Sequence, residues 1–327
     1  MPMTKSALSP PSLNLLQSPI PWLRAFWKFS RPHTIVGTSL SVLGLFCIAW
    51  AVRHPLGLSP GTFHVWQGVS SLWITWLACM CTNIYIVGLN QIEDVAVDRI
   101  DKPHLPIASG EFSTPQAKML VGIACSGAIL LAVVSHSLYL VVTVWLSLAI
   151  GTAYSLLQLK RFPLLGSLCK LLVRGAVVNL GIFLHASSQL GLWPRIPGQI
   201  WVLTLVVLLF SGAIALLKNL RDSNNKPLVL GGLTAAKVLQ LVWWLLTLCY
   251  IGLIIGAAAI PAVNTKFLMA THGVALVYFW YLSRQVQLDP ADTDTGCLSY
   301  GEYYQFIWKL FFVEYLIFPT ACLLYQI

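Results

Sequence analysis

Residues 68–98 read GVSSLWITWLACMCTNIYIVGLNQIEDVAVD. The stretch 68–90 carries no charge, and as a helix it is about 35 Å long, enough to cross the hydrocarbon core of a bilayer. Asn90, Asp94 and Asp98 follow at four-residue spacing. That spacing places one amide and two carboxylates on a single helix face, one turn apart. A stripe this acidic cannot face lipid and needs a metal, a basic partner or water. Three oxygen ligands on one face suit Mg²⁺, which is commonly held by one or two carboxylates together with substrate phosphates.

The rest of the chain extends the first half of that stretch. The 327 residues are 57% hydrophobic and 9% charged, with a mean hydropathy of +0.76, outside the range of soluble domains. Hydrophobic runs near 33–51, 68–90, 117–136, 138–157, 164–187, 199–219, 236–259, 267–283 and 305–325 give nine spans of membrane-crossing length. The fold expected is all-α, a polytopic bundle of about nine transmembrane helices in one domain. Residues 1–20, rich in Ser, Pro and Leu, read as a disordered tail, followed by an interfacial anchor at Trp22 and Trp27.

Charge tests that topology. With nine spans, all but three of the 20 Lys and Arg residues fall on the side of the N-terminus, the exceptions being Arg53, Arg195 and Lys266. The positive-inside rule makes that side cytoplasmic or its equivalent. All 11 carboxylates, Glu314 included, are assigned to the same side, which the rule does not require. Both signs gathered on one face describe a polar chamber there. Inside-positive topology accounts for most of the net charge of +9, and a site for an anionic substrate would account for the rest. The basic residues form no continuous soluble patch, which argues against nucleic acid as a partner. The eight cysteines lie mostly in apolar spans without ligand spacing and read as small apolar residues.

The acidic stripe continues as Arg99-Ile-Asp-Lys102-Pro103-His104-Leu-Pro106-Ile-Ala-Ser109-Gly110. Its prolines end the helix and start a tight loop from which Lys102 and His104 could reach back. The stretch Asn90–Gly110 resembles the first Asp-rich motif of the UbiA superfamily of intramembrane prenyltransferases, and more narrowly that of homogentisate phytyl- and solanesyltransferases of cyanobacterial type. Four further segments agree in order: Phe26–Thr34, Ile150–Phe162, Val173–Leu180 and Tyr304–Tyr315. The resemblance implies nine helices around a central cavity, with residues 21–327 as the prenyltransferase domain. It also implies Mg²⁺ as cofactor, with a prenyl diphosphate, a small aromatic acceptor of homogentisate type and membrane lipid as partners. The membrane would be plasma or thylakoid if the source is cyanobacterial.

In that reading Asn90, Asp94, Asp98 and Asp222 are the metal-binding and catalytic set, and Lys102, Lys160, Arg161, Lys218 and Lys226 bind diphosphate. Arg31, His33, Tyr154 and Asn179 are polar groups at the acceptor or cavity. Interfacial placement for His33 and helix packing for Tyr154 and Asn179 stay open as alternatives, as does a snorkelling role for Arg174. The second motif departs from the family pattern. It reads Lys218-Asn219-Leu220-Arg221-Asp222-Ser223-Asn224-Asn225-Lys226, retaining Asp222, while Asn219 and Lys226 stand at two other acidic positions. Leu156-Leu157 replaces the expected prolines after Tyr154-Ser155. Within the same class a prenyltransferase of specialised metabolism acting on a different aromatic acceptor remains within reach, and a second class is a prenyl-lipid-binding relative that has lost catalysis. A secondary transporter fits poorly, because the charges crowd one face instead of marking broken helices at mid-bilayer.

Overall fold

In the computed structural model the described residues are 13–53, 65–193, 195–222, 234–286 and 298–325, and for residues 65, 163 and 219–222 only the backbone is described. Twelve helices carry nearly all of them, and the sole pairing of extended backbone among the described residues is an isolated bridge between Val286 and Leu298. Short α1 (Pro19–Phe29) opens on a proline, buries Ala25 and Phe29, and leaves Trp27 exposed; Trp22, expected beside it as an interfacial anchor, is half-buried against Phe26 and Phe112. Of the expected 1–20 tail, residues 1–12 lie outside the described residues. Leu13, however, is tied down, its N–H donating to the Glu111 carbonyl at 2.9 Å and its own carbonyl accepting from the Gln116 amide at 2.9 Å. Arg31 then adopts a left-handed φ of 53° and turns the chain into α2 (Pro32–Arg53).

The remaining helices are α3 (Val65–Glu93), α4 (Val95–Asp101), α5 (Thr114–Val134), α6 (Leu138–Leu156), α7 (Pro163–Leu171), α8 (Val178–Gln189), α9 (Gly198–Asp222), α10 (Ala235–Gly256), α11 (Thr265–Ser283) and α12 (Tyr300–Leu323). A π-helical turn, Leu172–Val177, joins α7 to α8 in one spanning segment. Each of the nine expected spans is helical. Among the described residues eight helical segments are long and apolar enough to cross a membrane; the ninth, α11, has the length but is diluted by Lys266, Thr271 and His272. Several helices start on side-chain caps, with full capping boxes at Ser113/Gln116 and Ser299/Glu302.

Lipid supplies no hydrophobic force between helices, so close approach depends on small residues and dispersion contacts. Ala78 of α3 and Ala128 and Ala132 of α5 are fully buried, and with Leu140, Val144 and Leu148 of α6 they make one packing layer. The larger core joins α2 to α8–α12. There Gly44 is indispensable: a Cβ on it would fall 2.8 Å from the carbonyl oxygen of Tyr315 on α12. Large apolar side chains such as Ile123, Leu130, Trp145, Leu248, Ile255 and Val277 point outward, as a lipid-facing belt must. The cysteines resolved in the described residues are free thiols, mostly within the spans.

Candidate active site

At 29 residues α3 is about 43 Å long and overshoots an apolar core of about 30 Å, so one end has to leave the hydrocarbon. That end carries Asn90 and Asp94. The helix breaks at Asp94 (φ −104°, ψ 11°) and restarts as α4. Across the break the four-residue hydrogen bonds persist, Asp94 N–H to Asn90 O at 3.1 Å and Asp98 N–H to Asp94 O at 2.7 Å. The stripe predicted for one helix therefore survives on two.

Each of its two carboxylates meets a lysine. Asn90 Nδ2 donates to Asp94 Oδ2 at 2.7 Å, while Lys160 Nζ lies 2.6 Å from Asp94 Oδ1. Lys160 reaches it from a 3₁₀ turn, Leu159–Arg161, that follows a left-handed Gln158 (φ 54°) and folds the α6–α7 connection back over the end of α3. Buried Asp98 takes Lys102 Nζ at 3.1 Å. Of the other predicted diphosphate residues, Arg161 is exposed and Lys218 is half-buried near the end of α9. Next to it the Tyr300 hydroxyl donates to the Leu217 carbonyl and ties α9 to the start of α12. His104 is exposed in the loop. Asp222 closes α9, but its side chain and the whole of Lys226 lie outside the described residues.

The donor set of the first motif is all oxygen and fits Mg²⁺ in kind. Among the described residues no three His, Cys, Asp or Glu side chains converge on one point. The lysines hold the two carboxylates instead.

Deeper in the bundle the expected cavity residues separate. His33 packs edge-on against Trp308 of α12 with ring centres 5.7 Å apart, and Tyr154 lies under Lys170 Nζ at 5.3 Å. Arg31 serves the α1–α2 turn through its backbone, N–H to Lys28 O at 3.1 Å. Asn179 is wholly buried and accepts the Tyr315 hydroxyl on Oδ1 at 2.7 Å, so it ties α8 to α12 and lines no open wall. Two charges assigned to the polar side lie along helical segments and not at their ends, Glu314 buried and Arg174 half-buried. Glu314 lies 14 residues into α12, is fully buried, and meets His272 Nε2 at 3.1 Å. Arg174 sits on the π-helical turn with its guanidinium 4.7 Å over Trp308 and 5.6 Å over Phe311. Counting residues inward from Pro163 and Tyr300 was the available signal for both; assigning them to helix ends hid it.

Residues 40–310 match the model of the UbiA prenyltransferase family. The chain belongs to that family. Among its relatives, homogentisate phytyltransferase of Synechocystis is 43% identical over 307 residues, covering 91% of this chain and 96% of that protein. The chloroplastic homogentisate phytyltransferase 1 of Arabidopsis thaliana is 33% identical, covering 91% and 75%. The fold agrees with a UbiA homologue from Archaeoglobus fulgidus solved with DMAPP and Mg²⁺, at a TM-score of 0.59 and 15% identity, covering 90% of this chain and 99% of that one. This UbiA member is thus a prenyltransferase and an integral, multi-pass membrane protein.

Proposed function

We propose that the chain transfers a prenyl group from a prenyl diphosphate to an electron-rich phenol of homogentisate type, with Mg²⁺ as cofactor. The observation that carries this reading is Asp94 held between Asn90 and Lys160 where α3 leaves the bundle. The names of the relatives supply the acceptor class. Asn90, Asp94 and Asp98 form the principal metal-binding group, with Asp222 as the contribution of the second motif. When bound, Mg²⁺ neutralises the diphosphate leaving group.

The chain's own residues do the rest. Lys160 and Lys102 turn from Asp94 and Asp98 to diphosphate oxygens, which releases both carboxylates. Arg161, Lys218 and Lys226 add positive charge around the same group, and Lys226 replaces a carboxylate by a fixed cation. The allylic carbon–oxygen bond breaks with its electron pair leaving on diphosphate. An aromatic ring carbon of the acceptor then bonds to the prenyl carbon, and the ring releases a proton. Apolar, aromatic walls keep water from the cationic prenyl group and stabilise it through their ring faces. His33, Tyr154, Arg31 and Asn179 act at the acceptor end, Asn179 and Arg31 by holding the backbone there. The open end faces the cytoplasm, and in a cyanobacterial source the membrane would be plasma or thylakoid.

The test is turnover by purified protein in lipid, with phytyl, geranylgeranyl and solanesyl diphosphates, homogentisate and Mg²⁺. A prenylated phenol is expected, abolished by EDTA and reduced at least about a hundredfold by Asp94→Ala. Turnover that survives both treatments, or none with any donor, overturns the proposal.

A further inference from the structure

Arg174 lies 11 residues beyond Pro163, which opens α7 beside the Lys160 turn. Eleven residues of helix rise about 16 Å, roughly half the depth of an apolar core. A guanidinium is charged at any accessible pH and presents five donors. At mid-depth such a group is expensive unless it is paired or reaches a polar cavity. Here Arg174 is half-buried, no ion pair or hydrogen bond to its side chain forms among the described residues, its guanidinium lies over the faces of Trp308 and Phe311, and the Tyr304 and Tyr315 side chains stand near it. Cation–π contacts supply about 0.5–2 kcal/mol, less than the several kcal/mol that removing an ion from water costs. Among the described residues no carboxylate pairs with it.

The local backbone is built to hold Arg174 where it is. The π-helical turn Leu172–Val177 interrupts the α7–α8 segment, and such turns cluster at functional sites. Gly175 seats the turn on α9, where a Cβ would fall 2.3 Å from Leu208 Cδ2. Trp308, which lies under the guanidinium, also takes the edge of His33 from α2. Trp308 thus brings a cation and an imidazole from two other segments against one indole. Asp94 and Lys160 stand at the end of the bundle, about 16 Å of helix away along α7, so a diphosphate held there does not also neutralise Arg174.

We infer that Arg174 binds the carboxylate of the aromatic acceptor, with Trp308 and His33 against its ring, and so selects phenols that carry an acid side chain. The inference rests on the function proposed above. The planar fork of arginine matches a carboxylate in two-point contact, which makes Arg174 a specificity-determining residue.

Steady-state kinetics of the purified chain with Arg174→Gln and Arg174→Lys tests it, using homogentisate and methylhydroquinone as paired acceptors. Arg174→Gln is expected to raise KM for homogentisate at least tenfold, leave KM for the prenyl diphosphate within twofold, and erase the preference for the acid over methylhydroquinone. Arg174→Lys should recover part of that preference. An unchanged acceptor KM, a parallel rise in donor KM, or a preserved preference overturns the inference. If the wild-type chain turns over neither acceptor, the proposed function fails by itself. Calorimetric binding then decides the arginine: homogentisate must bind the wild-type protein more tightly than methylhydroquinone does, and Arg174→Gln must abolish the difference.

Discussion

The polar groups of this protein fall into two sets that obey different economies. At the end of α3, Asp94 and Lys160 pair with their side chains 25% and 12% exposed; the carboxylate reaches water, which lets the pair exchange partners, while the Lys160 ammonium itself is covered. Between α11 and α12, His272 and Glu314 are sealed at 0–1% exposure. There both ring nitrogens of His272 are engaged. The Leu268 carbonyl can only accept, so the bond at 2.7 Å fixes a proton on His272 Nδ1, and one further proton must lie between Nε2 and Glu314. The pair is neutral as a unit, and the buried Tyr250 hydroxyl stands beside Glu314. Exchangeable pairs suit a site that must receive a diphosphate, and closed pairs suit a joint between helices.

The largest expected effect breaks the closed pair. Glu314→Ala leaves a buried imidazole whose second polar contact is gone, and removing one member of a buried pair costs about 3–5 kcal/mol. Thermal unfolding in detergent micelles should register that loss, while the rate per folded molecule stays near wild type. Replacing both residues by apolar ones of similar size, His272→Phe with Glu314→Leu, should restore most of the stability. A double variant as unstable as Glu314→Ala would mean that the pair does more than hold α11 to α12.

The exchangeable set should respond the other way round. Lys160→Ala removes the cation that meets Asp94, and the carboxylate left behind is exposed enough to be hydrated. Turnover should fall about a hundredfold, close to 2.7 kcal/mol of transition-state stabilisation, with KM for the donor raised and the unfolding midpoint barely moved. A large loss of stability with unchanged KM would place Lys160 among the structural residues and erase the contrast.

How much of this was legible beforehand follows from the range of each interaction. Hydropathy is local, so all nine spans could be placed, and so could the Asn90/Asp94/Asp98 spacing, because i and i+4 meet whatever the rest of the chain does. Lys160 could be assigned to the site only through resemblance, since its contact with Asp94 spans 66 residues of sequence. His272 with Glu314, and Arg174 with Trp308, are contacts between separate helices that no single-helix pattern encodes. Charge counting by loop went further astray, drawing Glu314 and Arg174 out to the helix ends. The second motif at Asp222 and Lys226 stays a reading of sequence alone.

Packing within the closed region offers a milder test. Gly44→Ala would set a methyl group 2.8 Å from a backbone oxygen, and a carbonyl inside α12 has no rotamer through which to yield. Overpacking of this kind costs about 1–3 kcal/mol. Because Trp308, Phe311 and Tyr315 share that helix, KM for the acceptor should rise along with the loss of stability.

The smallest effect belongs to the open end. Lys28 and Glu111 meet at 2.7 Å, yet their side chains remain 45% and 30% exposed. Surface pairs of this kind contribute about 0.2–1 kcal/mol and weaken as salt rises. Lys28→Ala should therefore shift the unfolding midpoint slightly at low salt and not at all near 1 M, because the α1 junction is also held by the backbone bond from Leu13 to Glu111 and by the Gln91 amide on the Phe29 carbonyl at 2.7 Å. A salt-independent loss above about 1 kcal/mol would mean that this end is as tightly closed as the core, and that exchange at Asp94 needs more than a lysine changing partners.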